Sequence, residues 1–308
     1  MKKTVFAALC AATALAAPAY ADGHGERYVM ITHTQGTDPV WPVVEKGGRD
    51  AAAAVGATLE YNFDVSGDMA AMAALIEAAA ASEPDGIIVS LPDADALGPA
   101  IKSAVADGIP VVTMNSGLES SAELGALMHV GQPERDAGFA AGTRAMAEGV
   151  TKGLCLNQEA FNTALVDRCT GYFDAMGADL NQIDVSNDPA QIETRTAAAL
   201  EADESIDGVL AVGPHVCEAA TKAIEAVGAD VHLACFDLSP GVMDMIEDGR
   251  AAFTIDQQQR LQGYMPVIVL HLYNNHAGLL PGNNIASGPG FVDKSNAAAV
   301  KELAGIDR

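Results

Sequence analysis

The sequence predicts an α/β protein of two similar lobes, each a doubly wound parallel sheet, joined by a hinge of several chain segments. The first reason is the stretch from Asp85 to Gly117, where two short apolar runs enclose an amphipathic segment. A strand, a crossover helix and a second strand in this order form a parallel βαβ unit with a right-handed crossover. The second reason is that the same layout returns about 120 residues later, from Asp207 to Asp237.

The first unit shows the local signals most clearly. Its run 87–89 is β-branched and too short for a helix, so it predicts a buried strand. Apolar residues recur every fourth position from Leu97 to Val105, which indicates an amphipathic helix, and Asp95 is placed to cap it. Gly108 ends that helix, and residues 111–114 form the second strand.

Landmarks of the two units pair at a nearly constant offset: Gly86 with Gly208, Gly108 with Gly228, and Asn115 with Asp237. In parallel sheets, ligands bind beyond the carboxyl ends of the strands. We therefore expect Asn115 and Asp237 to occupy equivalent strand ends in two lobes that face each other.

The remaining elements follow from the same signals of periodicity and of glycine or proline breaks. Further strands are predicted at 28–32, 58–63, 127–130, 154–156, 183–186, 252–255 and 291–292. Further helices are predicted at 41–55, 69–81, 135–148, 164–176, 192–200, 215–227, 243–248, 261–272 and near the C-terminus. We assign residues 22–130 with 258–287 to lobe 1, and 131–257 with 288–308 to lobe 2.

The N-terminus predicts export. Lys2 and Lys3 form a basic start, 5–17 is an apolar centre, and 19–21 reads Ala-Tyr-Ala, a cleavage site for signal peptidase. A mature chain that begins at Asp22 in a bacterial periplasm is expected.

Charge and composition exclude several classes of partner. The 308-residue chain has a formal net charge of -24, which becomes more negative when the two signal lysines are removed. Nucleic acids and anionic membrane surfaces need a basic patch, so neither is expected as a partner. The 49% hydrophobic content supports substantial cores, yet no mature run approaches the roughly 18 apolar residues of a membrane span.

Four cysteines remain in the mature chain, and an even number in an exported protein suggests disulfides. Three pairings are possible. We predict Cys155 with Cys169, because the first lies in a strand and the second near the start of the next helix. Cys217 with Cys235 is a weaker second prediction, since both also suit small buried positions.

Catalytic and metal-binding signatures are scarce. The chain has no G-x-S-x-G, P-loop, H-E-x-x-H or G-x-G-x-x-G motif. His271 and His276 are five residues apart and so lie on different helix faces. Asp93 and Asp95 would suit a carboxylate pair for glycoside hydrolysis, but their place at a helix start favours capping. We expect no catalytic residues, no metal and no cofactor.

What remains is a set of polar residues at predicted strand ends. Their side chains donate and accept hydrogen bonds in fixed directions, as a polyol with adjacent hydroxyls requires. The set consists of Ser90, Asn115, Asn157, Asn187, Asp188, Asp237 and Gln257. Trp41, the only tryptophan, either stacks on a sugar ring beside that surface or packs into the lobe core.

With these residues in view, the mature chain resembles the ribose-binding-like sugar-binding proteins of ABC importers, which belong to the type I periplasmic binding protein family with its two-lobed Venus-flytrap fold. Five segments carry the resemblance, of which four are the turn 38–41 (Asp-Pro-Val-Trp), the loop 92–96, the pair Phe236-Asp237 and the strand 254–257. The stretch 167–173 is similar to the family's Arg-x-x-Gly segment, which makes Arg168 the counterpart of its ligand arginine.

The resemblance implies a site between the lobes, with Trp41, Ser90 and Asn115 on one wall and Arg168, Asp188 and Asp237 on the other. We add Gln35, Asp38, Ser116 and His215 as candidate ligand-binding residues. Arg168 has an alternative place on a helix surface, paired with Asp167 or Asp174.

The chain also departs from the family pattern. Asn115-Ser116 stands where the family has an Asp-Arg pair, and Gly213-Pro214 replaces a ligand asparagine. The identity of the sugar or polyol therefore stays open.

The function expected from these features is capture of a small neutral sugar or polyol and its delivery to the membrane permease of an ABC importer, by a monomeric protein that is not an enzyme. The alternatives are an exported doubly wound hydrolase, or a receptor that presents its ligand to a chemotaxis or sensor protein.

Overall fold

The computed structural model describes residues 25–33 and 38–308. The predicted signal peptide and the candidate residue Gln35 lie outside the described residues. Within them, no helix combines the length and the apolar character that crossing a bilayer requires.

Strands and helices alternate along nearly the whole chain. The strands are β1 (Arg27–Thr32), β2 (Thr58–Phe63), β3 (Gly86–Ser90), β4 (Val111–Met114), β5 (Met128–Gly131), β6 (Gly153–Asn157), β7 (Gln182–Asp184), β8 (Gly208–Ala211), β9 (His232–Phe236), β10 (Phe253–Asp256), β11 (Ile285–Ala286) and β12 (Gly290–Asp293). The helices are α1 (Val40–Val55), α2 (Met69–Ala81), α3 (Ala94–Ala106), α4 (Leu118–Ser121), α5 (Glu134–Ala147), α6 (Thr163–Met176), α7 (Pro189–Ala202), α8 (Pro214–Val227), α9 (Pro240–Asp248), α10 (Gln259–Asn275) and α11 (Ala297–Val300).

The strands form two six-stranded sheets, which confirms the predicted fold class. The order is β11-β5-β4-β3-β1-β2 in the sheet of lobe 1 and β12-β10-β9-β8-β6-β7 in the sheet of lobe 2. All pairs are parallel except β10 with β12. The order reverses around β1 and β3 in one sheet and around β6 and β8 in the other, so each sheet has a switch point at its carboxyl edge.

Each sheet is buried on both faces, which explains the unbroken apolar runs of its central strands. In lobe 1, α1 and α10 cover one face, and α2 and α3 cover the other. In lobe 2, α5 and α6 cover one face, and α7, α8, α9 and α11 cover the other. The two lobes thus have separate cores, and only their facing edges are available for a shared site.

The chain crosses between the sheets three times. It passes from β5 to α5 at 132–133, from β10 to α10 at 257–258, and from β11 to β12 at 287–289. Three crossings form a hinge that allows the lobes to open and close while their cores stay intact.

Two local expectations need correction, and two short elements were missed. The side chain that caps α3 is that of Asp93, whose Oδ1 accepts from the backbone N–H of Asp95 and Ala96, so the predicted cap at Asp95 was wrong. The strand predicted at 183–186 is β7, which ends at Asp184. The two-residue strand β11 and the one-turn helix α4 were not predicted, because neither is long enough to show a periodic pattern.

Two disulfides connect strands of lobe 2 to adjacent helices. Cys155 of β6 bonds Cys169 of α6, and Cys217 of α8 bonds Cys235 of β9, with Cα separations of 5.7 and 5.8 Å. Both pairs predicted from the sequence are therefore present.

We predict that replacing Cys155 and Cys169 together with Ala lowers the free energy of unfolding by about 3 kcal/mol, since the bond closes a loop of roughly 15 residues in the unfolded chain. Urea unfolding followed by circular dichroism measures this. An unchanged midpoint at an unchanged slope would show that this bond does not constrain the unfolded chain.

Candidate functional site

Asn115 and Asp237 occupy equivalent positions at the ends of β4 and β9. Both have positive φ, 63° and 69°, a left-handed conformation that Asn and Asp tolerate better than other side chains do. Their backbone N–H groups donate to equivalent partners on the neighbouring strand, Val130 O at 3.0 Å and Ile255 O at 2.7 Å. Both side chains are buried. The repeat seen in the sequence thus places one polar side chain from each lobe at the facing edges.

Arg168 lies at the centre of the buried charges of lobe 2, with 2% of its surface exposed. Its Nε and Nη2 donate to the two carboxylate oxygens of Glu134 at 2.6 and 2.9 Å. Its Nη1 donates to Val212 O at 3.0 Å and lies 3.5 Å from Asp237 Oδ2. The guanidinium also lies 4.5 Å from the centre of the Phe236 ring. The alternative of a surface ion pair was wrong, since Asp174 pairs with Arg135 instead.

Burial and charge act in opposite directions on this group. Burial alone would lower the pKa of Arg168, but the adjacent Glu134 and Asp237 carboxylates outweigh it and raise that pKa. Burial raises the pKa of Asp237 to about 7 despite the opposing effects of Arg168 and Gln257. Asp237 keeps room for further partners, because its Oδ2 accepts only one long contact from Arg168.

Glutamines of the hinge connect the two strand ends. Gln257 Nε2 donates to Asp237 Oδ1 at 2.7 Å, while its Oε1 accepts from Asn115 Nδ2 at 3.2 Å. Gln262 Nε2 donates to the same Gln257 oxygen at 2.8 Å and to Ser287 Oγ at 2.9 Å. Gln259 Nε2 donates to Asp237 Oδ1 at 2.9 Å. A continuous chain of hydrogen bonds therefore runs from lobe 1 through the hinge to lobe 2.

His33, after β1, forms the opposite end of the lobe 1 wall. Ser90 Oγ accepts from the His33 backbone N–H at 3.1 Å and lies 2.7 Å from its Nδ1, so Ser90 holds the imidazole in place. The ring meets Trp41 edge to face, with centroids 4.7 Å apart. Burial lowers the pKa of His33 to about 3, which keeps the ring neutral. Trp41 itself is buried in the core of lobe 1 beneath this histidine.

A short segment of lobe 2 makes the direct contacts with lobe 1. Asn162 Nδ2 lies 3.3 Å from His33 Nε2, and Asn162 Oδ1 lies 3.2 Å from the hydroxyl of Ser116. Next to it, the Thr163 backbone N–H donates to Pro92 O at 3.1 Å. These contacts describe a closed arrangement in which lobe 2 covers the ends of β1, β3 and β4.

Charged groups from both lobes converge on the interior of this cleft. Asp38 is partly buried and its Oδ1 accepts from the Val40 N–H at 3.0 Å. Burial raises the pKa of Asp38, while the nearby His215 and Arg168 of lobe 2 act against that rise. The His215 ring is held by Asn187, with Nε2 2.9 Å from Asn187 Oδ1.

Most of the predicted site residues come together here, but three have other roles. The first is Trp41, which packs in the core of lobe 1 and does not lie on the wall of the cleft as predicted. Asn157 Oδ1 accepts from the Glu159 N–H at 2.8 Å, so this side chain shapes the loop that follows β6. Asp188 is exposed and does not lie on the wall of the cleft as predicted, because its Oδ1 caps α7 by accepting from the Gln191 N–H at 2.9 Å.

Sequence reasoning missed several polar residues of the cleft and hinge. The missed residues are His33, Gln132, Glu134, Glu159, Asn162, Gln259 and Gln262. Glu134 looks like an acid in the first turn of a helix, a common surface feature, and only the burial of Arg168 reveals its role. Asn162 carried a readable signal, since it precedes the α6 periodicity and caps that helix.

A cavity of about 480 Å³ opens onto the cleft from the side. Asn115, Gln132 and the first turns of α4, α5 and α6 line it, and Glu134 lies in the α5 turn. Among the residues that the structure describes, no group of three or more His, Cys, Asp or Glu side chains is arranged to hold a metal ion.

Two lobes that close over a buried polar cleft define a ligand-binding protein, and comparison with known families agrees. The family model of the periplasmic binding protein domain matches residues 28–276. The chain therefore belongs to this family, and it is a type I periplasmic sugar-binding protein by sequence and fold. The resemblance noted in the sequence is confirmed.

Particular relatives extend this comparison. A carbohydrate transporter from Acidothermus cellulolyticus, solved with myo-inositol, is 39% identical, with a TM-score of 0.88 over 92% of this chain and all of that one. The xylose/arabinose-binding protein of Sulfolobus acidocaldarius is 25% identical over 88% of this chain and 71% of its own length. A solute-binding protein from Burkholderia graminis, solved with D-arabinose, shares the fold with a TM-score of 0.81 at 20% identity, over 88% of this chain and 96% of that one.

We predict that Arg168→Ala lowers the free energy of unfolding by about 3–5 kcal/mol at pH 7, because it leaves Glu134 and Asp237 buried without their cation. The loss should shrink towards pH 4–5, since the abandoned carboxylates can then take up protons. Urea unfolding at the two pH values measures both effects.

Arg135→Ala is the matched control. Arg135 pairs with Asp174 at 2.6 Å on the surface, with 56% of its side chain exposed, and an exposed pair contributes about 1 kcal/mol or less. Equal small losses for the two variants would contradict the central role given to the Arg168 cluster.

Proposed function

We propose that this protein captures a neutral cyclic polyol or sugar between its lobes and delivers it to the permease of an ABC importer. Residues 22–130 with 258–287 form the first lobe, and 131–257 with 288–308 form the second. The candidate binding residues facing the cleft are Asp38, Asn115, Ser116, Arg168, Asn187, His215, Asp237 and Gln257. Gln35, which lies outside the described residues, remains a candidate from the sequence. Ser90 and Trp41 hold His33 from behind.

One observation carries the proposal: the strand-end residues of two separate cores are joined in one buried hydrogen-bonded chain through Gln257. A ligand with several hydroxyls can contact Asn115 and Asp237 at once only when the lobes are closed. Contacts that exist only in the closed state are the ones that let a ligand stabilise closure.

The relative with bound myo-inositol supports a cyclic polyol as the ligand class, since 39% identity extends over nearly the whole chain. A cyclitol presents hydroxyls all round its ring, which suits a cleft that offers carboxylates, amides and a histidine from both walls. Asn115-Ser116, in place of the family's Asp-Arg pair, leaves Arg168 as the guanidinium of the cleft among the described residues.

The charge of the cleft favours an uncharged ligand. The Arg168 guanidinium is paired with the carboxylates of Glu134 and Asp237, so its positive charge is not available to attract an acidic ligand. The side opening adds Glu119, Asp136 and Asp167 against a single Arg135. Uronates and phosphorylated polyols would therefore meet net repulsion both on entry and in the cleft.

Export to the periplasm is consistent with this role. The N-terminal signal features, together with the family assignment, support a periplasmic protein that meets its ligand before the inner membrane. The family consists of binding proteins, which favours binding over the hydrolase alternative.

We predict that myo-inositol binds in a calorimetric titration, and that glucuronate binds at least about a hundredfold more weakly because of repulsion by the carboxylates. Saturable binding of glucuronate with similar affinity would contradict the neutral ligand class. If neither myo-inositol nor glucuronate binds but a pentose does, the ligand is a neutral sugar other than a cyclitol.

We predict that Asp237→Ala weakens polyol binding about ten- to a hundredfold, since a charged hydrogen bond contributes roughly 1.5–3 kcal/mol. Asp188→Ala is the matched control, because it removes an acid that caps α7 outside the cleft. It should cost about 1 kcal/mol of stability and leave affinity intact. Equal polyol affinity of the two variants would show that Asp237 does not contact the ligand.

A further inference from the structure

Glu159 is a buried carboxylate at the boundary between the lobes. Only 7% of its surface is exposed. Its Oε2 accepts from Asn162 Nδ2 at 2.8 Å and lies 3.8 Å from His33 Nε2 of lobe 1. Its Oε1 lies 3.5 Å from Asn187 Nδ2. All three neighbours are neutral groups, since burial keeps the His33 ring unprotonated.

Within residues 25–33 and 38–308, no cation pairs directly with this carboxylate. Among the described residues, no Lys or Arg side chain lies within salt-bridge distance of Glu159, and residues 34–37 include no charged residue in the sequence. Arg168 is near enough to favour the charged form weakly, but its hydrogen bonds go to Glu134, Asp237 and Val212. A buried charge without a partner is strongly disfavoured, whereas a buried neutral acid is tolerated.

Among the charged groups around the cleft, Asp38 acts in the same direction as burial. Asp38, from the start of α1, faces Glu159 across the cleft and disfavours a second negative charge. Asp237 of β9 and Glu134 of α5 share the single guanidinium of α6. His215 of α8 is near Asp38 and is hydrogen-bonded to Asn187. Burial and the charge of Asp38 together raise the pKa of Glu159 to about 7, against the opposing bonds from Asn162 and Asn187.

Closure is what creates this environment. His33 and Asp38 belong to lobe 1, while Glu159, Asn162 and Asn187 belong to lobe 2. Separation of the lobes would take His33 and Asp38 away from Glu159 and admit water to it, which favours the ionised form. The protonation state of this group is therefore coupled to the position of the lobes.

We propose that Glu159 is a ligand-cleft residue that enters the closed state as a neutral acid, so that capture of the polyol takes up one proton. This rests on the proposed function, because the ligand is what holds the lobes closed. As a neutral acid, Glu159 has an O–H to donate to a ligand oxygen, in addition to its acceptor oxygen. The residue would thus make affinity respond to periplasmic pH, with tighter capture in acid.

The direction of the pH dependence of affinity, and the pH range in which it occurs, follow from the pKa of Glu159 in the open and closed states. An open-state carboxyl with the ordinary pKa of 4.5 is ionised above that pH, while the closed state holds the proton up to about pH 7. Affinity should therefore weaken on the order of tenfold between pH 5.5 and 8 and change little above pH 8. Near pH 6, close to one proton should be taken up for each ligand bound.

The test is calorimetric titration with myo-inositol in buffers of different ionisation enthalpy, which gives the number of protons exchanged. The wild type should take up close to one proton at about pH 6. Glu159→Gln should lose more than half of that uptake and most of the pH dependence, because the amide reproduces the neutral acid at every pH. Glu77→Gln, the same change at an exposed position of α2, should behave as the wild type.

Two outcomes would overturn the proposal: no proton uptake in the wild type, or wild-type uptake in Glu159→Gln. His33→Asn tests whether Glu159 or His33 takes up the proton, and this variant should retain the proton uptake on ligand binding. Loss of uptake in that variant alone would place the proton on histidine and contradict the assignment to Glu159.

A thermal melt of the unliganded protein tests the residue even if no polyol binds and the proposed function fails. Because the open lobes leave Glu159 in contact with water, Glu159→Gln and the wild type should melt together at both pH 4.5 and pH 8. A higher melting temperature of Glu159→Gln at pH 8 alone would show that the carboxyl is buried without closure by ligand. That result would overturn the coupling to closure independently of any ligand.

Discussion

The bidentate pairing of Arg168 with Glu134 is the interaction on which the site depends. It places a cation where three elements of lobe 2 meet: the starts of α5 and α6 and the end of β9. Without it, Asp237 would be a carboxylate in a dry environment at a strand end with left-handed backbone, which burial would neutralise. With it, Asp237 stands opposite Asn115 with acceptor capacity to spare, and the edge of a sheet becomes one wall of a binding cleft.

The hinge transmits this arrangement to the other lobe. Gln257 lies on one crossing and bonds both Asn115 and Asp237, while Ser287, on another crossing, is reached through Gln262. Buried amides that are hydrogen-bonded to both lobes fix the relative position of the groups that they join. The same chain of bonds must break or rearrange when the lobes separate, so ligand capture and hinge geometry are parts of one equilibrium. Glu159 couples that equilibrium to pH, because it takes up a proton when the lobes close on the ligand.

The features that the sequence predicts are those that leave a local pattern along the chain. Periodicity and breaks predicted the two sheets and most helices, because each signal is local, and the offset between Asn115 and Asp237 predicted their equivalence. Glu134 and Glu159 were missed because their roles arise from burial against the other elements, which no local pattern records. Asp188 shows the opposite error: an acid after a strand looks the same in sequence whether it faces a ligand or caps a helix, and only the fold separates the two.

A crystal structure of the protein grown with myo-inositol tests the central claim most directly, namely that Asn115 and Asp237 hold one ligand between the lobes. The predicted result is a single ring in the cleft with hydroxyls within hydrogen-bond distance of both side chains, and with Arg168 still paired to Glu134. A ring bound to one lobe only, or a cleft that stays empty at saturating ligand while the ring occupies another surface, would contradict it.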